Sequence, residues 1–277
     1  MLVLQFMLLG QGYSADSQRQ DLNKEASKQE ALYHSKADEL PEGYVIDRSL
    51  LSYIDTLSFD FDRRLAGMGP HDRWLDIGAG KAQAILDYYG SGDDHRQTTK
   101  AKAVAISVED RRTPIWYKTA AALGSNQIQY YFDKRLGDYS LKDLGRFQVI
   151  TDVFGGFSYT EELSLFMKKA LELLELNGTF YTLLQDVKSE SGLNRPFYAN
   201  SSYTTEIADA GGSDVRVCAW LKKISCVEVS CELRTQWKPP IEVYRIHKSC
   251  NRIEVPALVK THFEAGTPPD RRYRIAN

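Results

Sequence analysis

The chain has 277 residues, 43% of them hydrophobic, and sets 35 Lys and Arg against 37 Asp and Glu for a formal net charge of -2. That length buries a sizeable core, and one domain of the larger kind with an extension fits better than two full domains. The near-neutral balance gives no whole-molecule pull towards nucleic acid or an anionic membrane, so such a partner would need a local basic patch.

The first nine residues, MLVLQFMLL, are apolar, but no basic stretch precedes Leu2 as a secretory signal requires, and nine residues are too few to cross a bilayer. Residues 16–39 are rich in Gln, Lys, Glu, Ser and Asp and read as a solvated helix or a disordered arm, outside the core. From Leu40 the character changes. Residues 49–65, SLLSYIDTLSFDFDRRL, carry recurring apolar positions that predict one helix or two short ones, with Ser49 as the cap and Tyr53, Phe59 and Phe61 as core.

Residues 73–77 combine three large apolar side chains with Asp76, which suits a parallel strand buried on both faces. The strand stops at Gly78, and residues 82–89, AQAILDYY, have the pattern of the following helix. Glycines in such a turn take positive φ and bring bare N–H groups close to a ligand. A dinucleotide fingerprint would need a small residue at Gln83, so a nicotinamide enzyme is disfavoured. The acid two residues before the first glycine, in Asp76-Ile77-Gly78-Ala79-Gly80, resembles motif I of the class I S-adenosylmethionine-dependent methyltransferases, with Ala82 in place of the third glycine.

That resemblance implies an α/β fold: a Rossmann-like, seven-stranded, mostly parallel sheet with an antiparallel last strand and helices on both faces. It implies S-adenosyl-L-methionine as cofactor, held by Asp76, Gly78, Ala79 and Gly80. A second strand follows at 101–108, AKAVAISV, after a polar loop in which His95 reads as a surface residue. Where the family has an acid for both ribose hydroxyls, this chain has Ser107, so donor affinity rests on Glu109 or Asp110 just beyond, or is weak. Residues 105–110 are similar to cyclopropane-fatty-acid-synthase-like members, where Thr or Ser replaces that acid.

Residues 113–123 predict a helix with Pro114 at its start and Gly124 at its end. A third strand is expected at 128–132, after which the resemblance gives Asp138 the adenine amino group, with Asp133 as rival. The run 147–153, FQVITDV, marks the fourth strand; its Asp152 ends at the edge where open α/β sheets bind ligands. Asp152 and Tyr159 are therefore the candidate catalytic residues, Asp152 also touching the cofactor; His71 is a third candidate base, and capping of the next helix is the plainer role for Asp152. A helix over 161–176 should end at Asn177-Gly178 with Gly178 left-handed, before a fifth strand at 179–184.

Residues 185–213 read as a lid carrying Arg195, Tyr198 and Tyr203, followed by a helix over 213–223. Residues 226–234 and 241–247 alternate as a hairpin. The resemblance thus covers a methyltransferase domain at 40–248, after an N-terminal apolar segment and polar arm at 1–39 and before a C-terminal extension at 249–277. Cys218, Cys226, Cys231 and Cys250 lack C-x-x-C spacing and a nearby histidine series, which argues against a metal site and favours buried thiols, a disulfide staying open.

The expected function is methyl transfer from S-adenosylmethionine to an acceptor that is a small molecule, lipid or protein sooner than nucleic acid, because DVFG follows the fourth strand where amino-methylating nucleic-acid enzymes carry a proline pair. A non-catalytic Rossmann-like binding module is the alternative, given weight by Ser107. A cytoplasmic location is expected because the donor is made there, with export as the alternative if the apolar start is the remnant of a signal peptide.

Overall fold

The computed structural model describes residues 15–34, 45–90, 100–124, 126–185, 204–237 and 240–276. The apolar first residues, the loop with His95, and Arg195, Tyr198 and Tyr203 of the expected lid lie outside them.

The chain opens with α1 (Ala15–His34), then α2 (Leu50–Leu57) and α3 (Phe59–Ala66). Ser49 caps α2 as expected, its hydroxyl accepting from the Ser52 N–H at 3.2 Å. The first strand, β1 (Arg73–Ile77), leads through the glycine turn into α4 (Gln83–Tyr89). There follow β2 (Lys102–Ile106), α5 (Pro114–Leu123), β3 (Ile128–Tyr131), a 3-10 turn at Leu136–Asp138, α6 (Leu141–Leu144), β4 (Phe147–Asp152), α7 (Gly156–Tyr159), α8 (Leu163–Leu173) and β5 (Leu174–Leu184). The last third holds β6 (Thr205–Ala208), β7 (Asp214–Val215), α9 (Val217–Leu221), β8 (Val227–Arg234), β9 (Ile241–Lys248), β10 (Leu258–Glu264) and β11 (Asp270–Ile275).

Seven strands form one sheet in the order β3-β2-β1-β4-β5-β9-β8. Neighbours from β3 to β5 are parallel, and β9 enters antiparallel between β5 and β8. This is the Rossmann-like α/β sheet, with its antiparallel strand near the edge, that the resemblance implied. One face packs on α2 to α5 through Tyr53, Leu57, Phe61, Ile85 and Trp116; the other packs on α8 and α9 through Leu163, Met167, Leu171 and Trp220. Both faces are covered, which is why the central strands are nearly all apolar.

The expected helix over 161–176 is shorter, because backbone from Leu174 already pairs with Phe147. Its end is also made differently. Asn177, not Gly178, takes the left-handed conformation (φ 63°), while a side chain at Gly178 would meet the Glu175 carbonyl and the Leu174 side chain at 2.9 Å.

A second sheet, β10-β11-β6-β7, lies outside the first. It joins the C-terminal hairpin to β6, with Arg271 opposite Thr205 and Tyr273 opposite Ile207. The cysteines are paired: Cys218 with Cys231 and Cys226 with Cys250, at Cα separations of 6.1 and 4.9 Å. Buried free thiols, the favoured sequence reading, are thereby corrected. No helix among the described residues is long and apolar enough to cross a membrane.

Candidate active site

The strands β1 to β4 all point their carboxyl ends at one cavity of about 350 Å³. Its floor is built by three strand ends. Ile77, Gly78 and Gly80 come from β1, Ile106 and Ser107 from β2, and Leu136, Gly137 and Asp138 from the turn after β3. Phe154, Gly155, Gly156 and Tyr159 add the side wall after β4.

Close backbone contact dictates the glycines. Gly78 (φ 72°) lies against Gly155, so an added Cβ would sit 2.5 Å from the Gly155 Cα. At Gly80 (φ 55°) the same atom would meet the Ile46 carbonyl oxygen at 2.3 Å. Ala82 adopts the left-handed region as well (φ 55°, ψ 35°), the conformation a third glycine would take without strain. Ala79 turns away from the cavity and donates its N–H to the Ile106 carbonyl at 3.0 Å, so that N–H is spoken for.

Asp76 is fully buried and stands behind the floor, off the cavity wall. Its carboxylate accepts from the Tyr53 hydroxyl at 3.0 and 3.1 Å and from the Thr151 hydroxyl at 2.8 Å, while the Trp74 indole N–H donates to the same Thr151 oxygen at 2.8 Å. The motif acid thus ties α2 to β1 and β4 through a buried network, the kind of arrangement that is costly when any member is lost. Burial pushes its pKa up to about 7 against the pull of the two hydroxyls and of Arg48.

Ser107, just past β2, is buried on the wall, and Tyr130 packs its phenol oxygen 2.6 Å from the Gly80 carbonyl and 3.2 Å from that of Glu109. Tyr130 therefore joins the glycine turn to the ribose-side loop, a role that its place in an aromatic strand gave no sign of. Glu109 is off the wall, paired with Arg111 at 3.0 Å and His34 at 3.3 Å; Arg111 itself lines the cavity. Asp138 is on the wall and accepts the Arg135 N–H at 3.0 Å, whereas its rival Asp133 is not.

Asp152, fully buried, also stands behind the wall. It accepts the N–H groups of Gly155 and Phe157 at 3.2 and 3.1 Å and the Thr182 hydroxyl at 3.4 Å, which holds the turn into α7. Burial drives its pKa to about 7, opposed by those N–H donors and helped by the nearby Asp76 charge. Tyr159 is on the wall with its pKa pushed up to about 12, chiefly by burial, so its phenol keeps the proton at neutral pH and offers a donor sooner than a base. His71 is exposed at the amino end of β1, opposite the edge that carries the cavity.

The roof comes from α1, a helix outside both core clusters as its polar composition implies, which also lays Ala26, Gln29 and Tyr33 over the cavity, with Gln29 only 3% exposed. The spacing Leu22, Ala26, Gln29, Tyr33 was a helical stripe readable in advance, hidden by its polar company. The Tyr33 hydroxyl donates to the Tyr159 carbonyl at 2.6 Å. Arg48, before α2, also lines the cavity; it lies 4.7 Å from the Phe154 ring centre, donates to the Val45 carbonyl at 2.8 Å, and forms no ion pair among the described residues.

Neither a protein-family model nor a curated protein matches the chain. Among solved structures the chain is similar to the antibiotic-resistance methyltransferase Kmr, at 13% identity and TM-score 0.42 over 69% of this chain and 92% of that one. It is also similar to a structure described as a class I S-adenosylmethionine-dependent methyltransferase from Listeria monocytogenes, at 11% identity and TM-score 0.44 over 88% and 72%. A third is geranyl diphosphate methyltransferase in complex with GPP and sinefungin, at 15% identity and TM-score 0.35; there the match spans 44% of this chain and 42% of the other, under half its length.

Proposed function

We propose that the cavity binds S-adenosylmethionine and that the chain is a methyltransferase for a small acceptor. One observation carries this: the turns after β1, β2 and β3, bearing Gly78 and Gly80, Ser107 and Asp138, share the wall of a single cavity. The cavity lies within the range of small-ligand sites, roughly 300–1,000 Å³. Gly78 and Gly80 line the cavity, and Arg48, which forms no ion pair among the described residues, is a cation on the same wall for a carboxylate. Ser107 takes a ribose hydroxyl, and Asp138 takes the adenine amino group.

The donor, when bound, supplies a methyl carbon on a sulfonium that is already activated for displacement. What the chain adds is alignment and dryness: Phe154, Tyr159 and Phe166 wall the acceptor side with aromatic surface, and α1 covers it. Asp152 acts through the turn that it holds. A second reading, a non-catalytic binding module, draws on Ser107 in place of an acid and on the withdrawal of Asp152 behind the wall. Release of S-adenosylhomocysteine with a panel of alcohol, amine, thiol and carboxylate acceptors separates the two.

Ser107→Phe tests the placement of the donor. The ring would fill the ribose position, so the variant should fold, by thermal unfolding, and lose S-adenosylhomocysteine binding; undiminished affinity would put the donor elsewhere. For location, the two disulfides favour the exported alternative, since cytoplasmic thiols are kept reduced. Protein isolated without reductant and unfolded in iodoacetamide should gain no label; full labelling would return the chain to a reducing compartment.

A further inference from the structure

The turn that carries Tyr159 is a helix of four residues, too short to fix itself. Asp152 holds its N–H groups from below. Its carbonyls are held from the far side by Arg271 of β11, whose Nη1 donates to the Phe157 oxygen at 3.1 Å and to the Thr160 oxygen at 2.7 Å. The remaining donors are aimed by one group: Nε and Nη2 both reach the Thr205 hydroxyl of β6, at 3.2 and 2.8 Å.

Arg271 is 1% exposed and forms no ion pair among the described residues. Burying a guanidinium without a counter-ion is costly, and an apolar side chain of similar volume would fill the same space without that penalty. What the arginine adds is direction, since its planar fork fixes several oxygens at once. Two residues on, the Tyr273 hydroxyl donates to the Glu161 carbonyl at 2.9 Å. The other end of the hairpin reaches the roof, where the N–H groups of Ala265 and Gly266 donate to Glu25 and Gln29 of α1 at 3.1 and 3.0 Å.

We propose that Arg271 is a positioning residue of the site, setting Tyr159 on the cavity wall through the Phe157 and Thr160 carbonyls, and that the β10–β11 hairpin is part of the site and not an appendage to it. The inference rests on the S-adenosylmethionine reading only through its probe.

The test is hydrogen exchange on the full-length chain, with and without S-adenosylhomocysteine, alongside titration of that thioether. In Arg271→Met, exchange of the amides of 157–161 should quicken at least about tenfold and the dissociation constant should rise about tenfold, while β1 and β4 exchange as in the parent. Arg271→Lys, which keeps a charged donor, should bring the constant back to within about threefold. If Arg271→Met does not fold, Thr205→Val, which removes the hydroxyl that Nε and Nη2 share, should give the same local change at about threefold. Exchange that quickens uniformly across the sheet, or that leaves 157–161 unchanged, would overturn the proposal. Failure of the parent to bind the thioether would instead overturn the donor reading, leaving exchange at 157–161 to decide on Arg271.

Discussion

The floor of the cavity is made of backbone, and its roof of side chains. Gly78, Gly80, Ser107 and the turn at Leu136–Asp138 hang from strands covered on both faces, and the glycine turn is wedged against Gly155 and Ile46 with no room for a methyl group. By contrast α1 is held by the Glu30–Arg135 pair at 3.4 Å, the His34–Glu109 pair at 3.3 Å, the Tyr33 hydroxyl, and two backbone N–H groups from the β10–β11 turn. The floor resists change because packed backbone cannot relax. A roof held by half-exposed polar pairs can lift at little cost, which suits a cover under which a ligand must pass.

The largest expected effect breaks the floor. Gly78→Ala forces a methyl group against Gly155 in a left-handed backbone, and should cost about 2–4 kcal/mol in urea unfolding while removing S-adenosylhomocysteine binding. A loss below about 0.5 kcal/mol would mean that the turn yields and that the comparison with the roof is mistaken.

The two buried acids beneath the floor give the next effect. Asp76 and Asp152 both rise from 3.8 to about 7 on folding, so between those values the folded chain holds protons that the unfolded chain has released. The contribution of these two acids is therefore fully present below about pH 4 and is lost as pH rises towards 7. Unfolding free energies at pH 5 and 7.5 measure the slope, and Asp76→Asn should flatten it; an equal slope in that variant would assign the dependence to other groups.

A smaller change in the same turn has the opposite sign. Ala82→Gly relieves a left-handed alanine at the price of unfolded-state entropy, for a net gain of up to about 1 kcal/mol. Destabilisation instead would show that the alanine methyl packs usefully. The smallest effect belongs to the roof: Glu30→Ala should move stability by no more than about 0.5 kcal/mol. A cost above about 2 kcal/mol would make α1 as fixed as the floor.

The same contrast governs what the sequence reveals. The β1 turn was readable because Asp76, Gly78 and Gly80 answer to local backbone geometry, and β8 and β9 because one face of each alternates. The second sheet was not: β6 has four residues and β7 two, and β11 reads as charge, DRRYRI, although Arg271 is buried. A buried arginine satisfied by carbonyls of distant turns leaves no periodic mark. The acids divided in a similar way. Asp138 lines the cavity, but Asp76, Glu109 and Asp152 stand one step behind it, because their oxygens are claimed by Tyr53 and Thr151, by Arg111, and by Gly155 and Phe157. Spacing locates a strand end and does not tell which way its acid is held.

The most direct test of the account is calorimetric titration of the purified chain with S-adenosylhomocysteine and, separately, with NADH. Binding of the thioether at one site per chain, without binding of NADH, is the predicted result; binding of NADH without the thioether would contradict it.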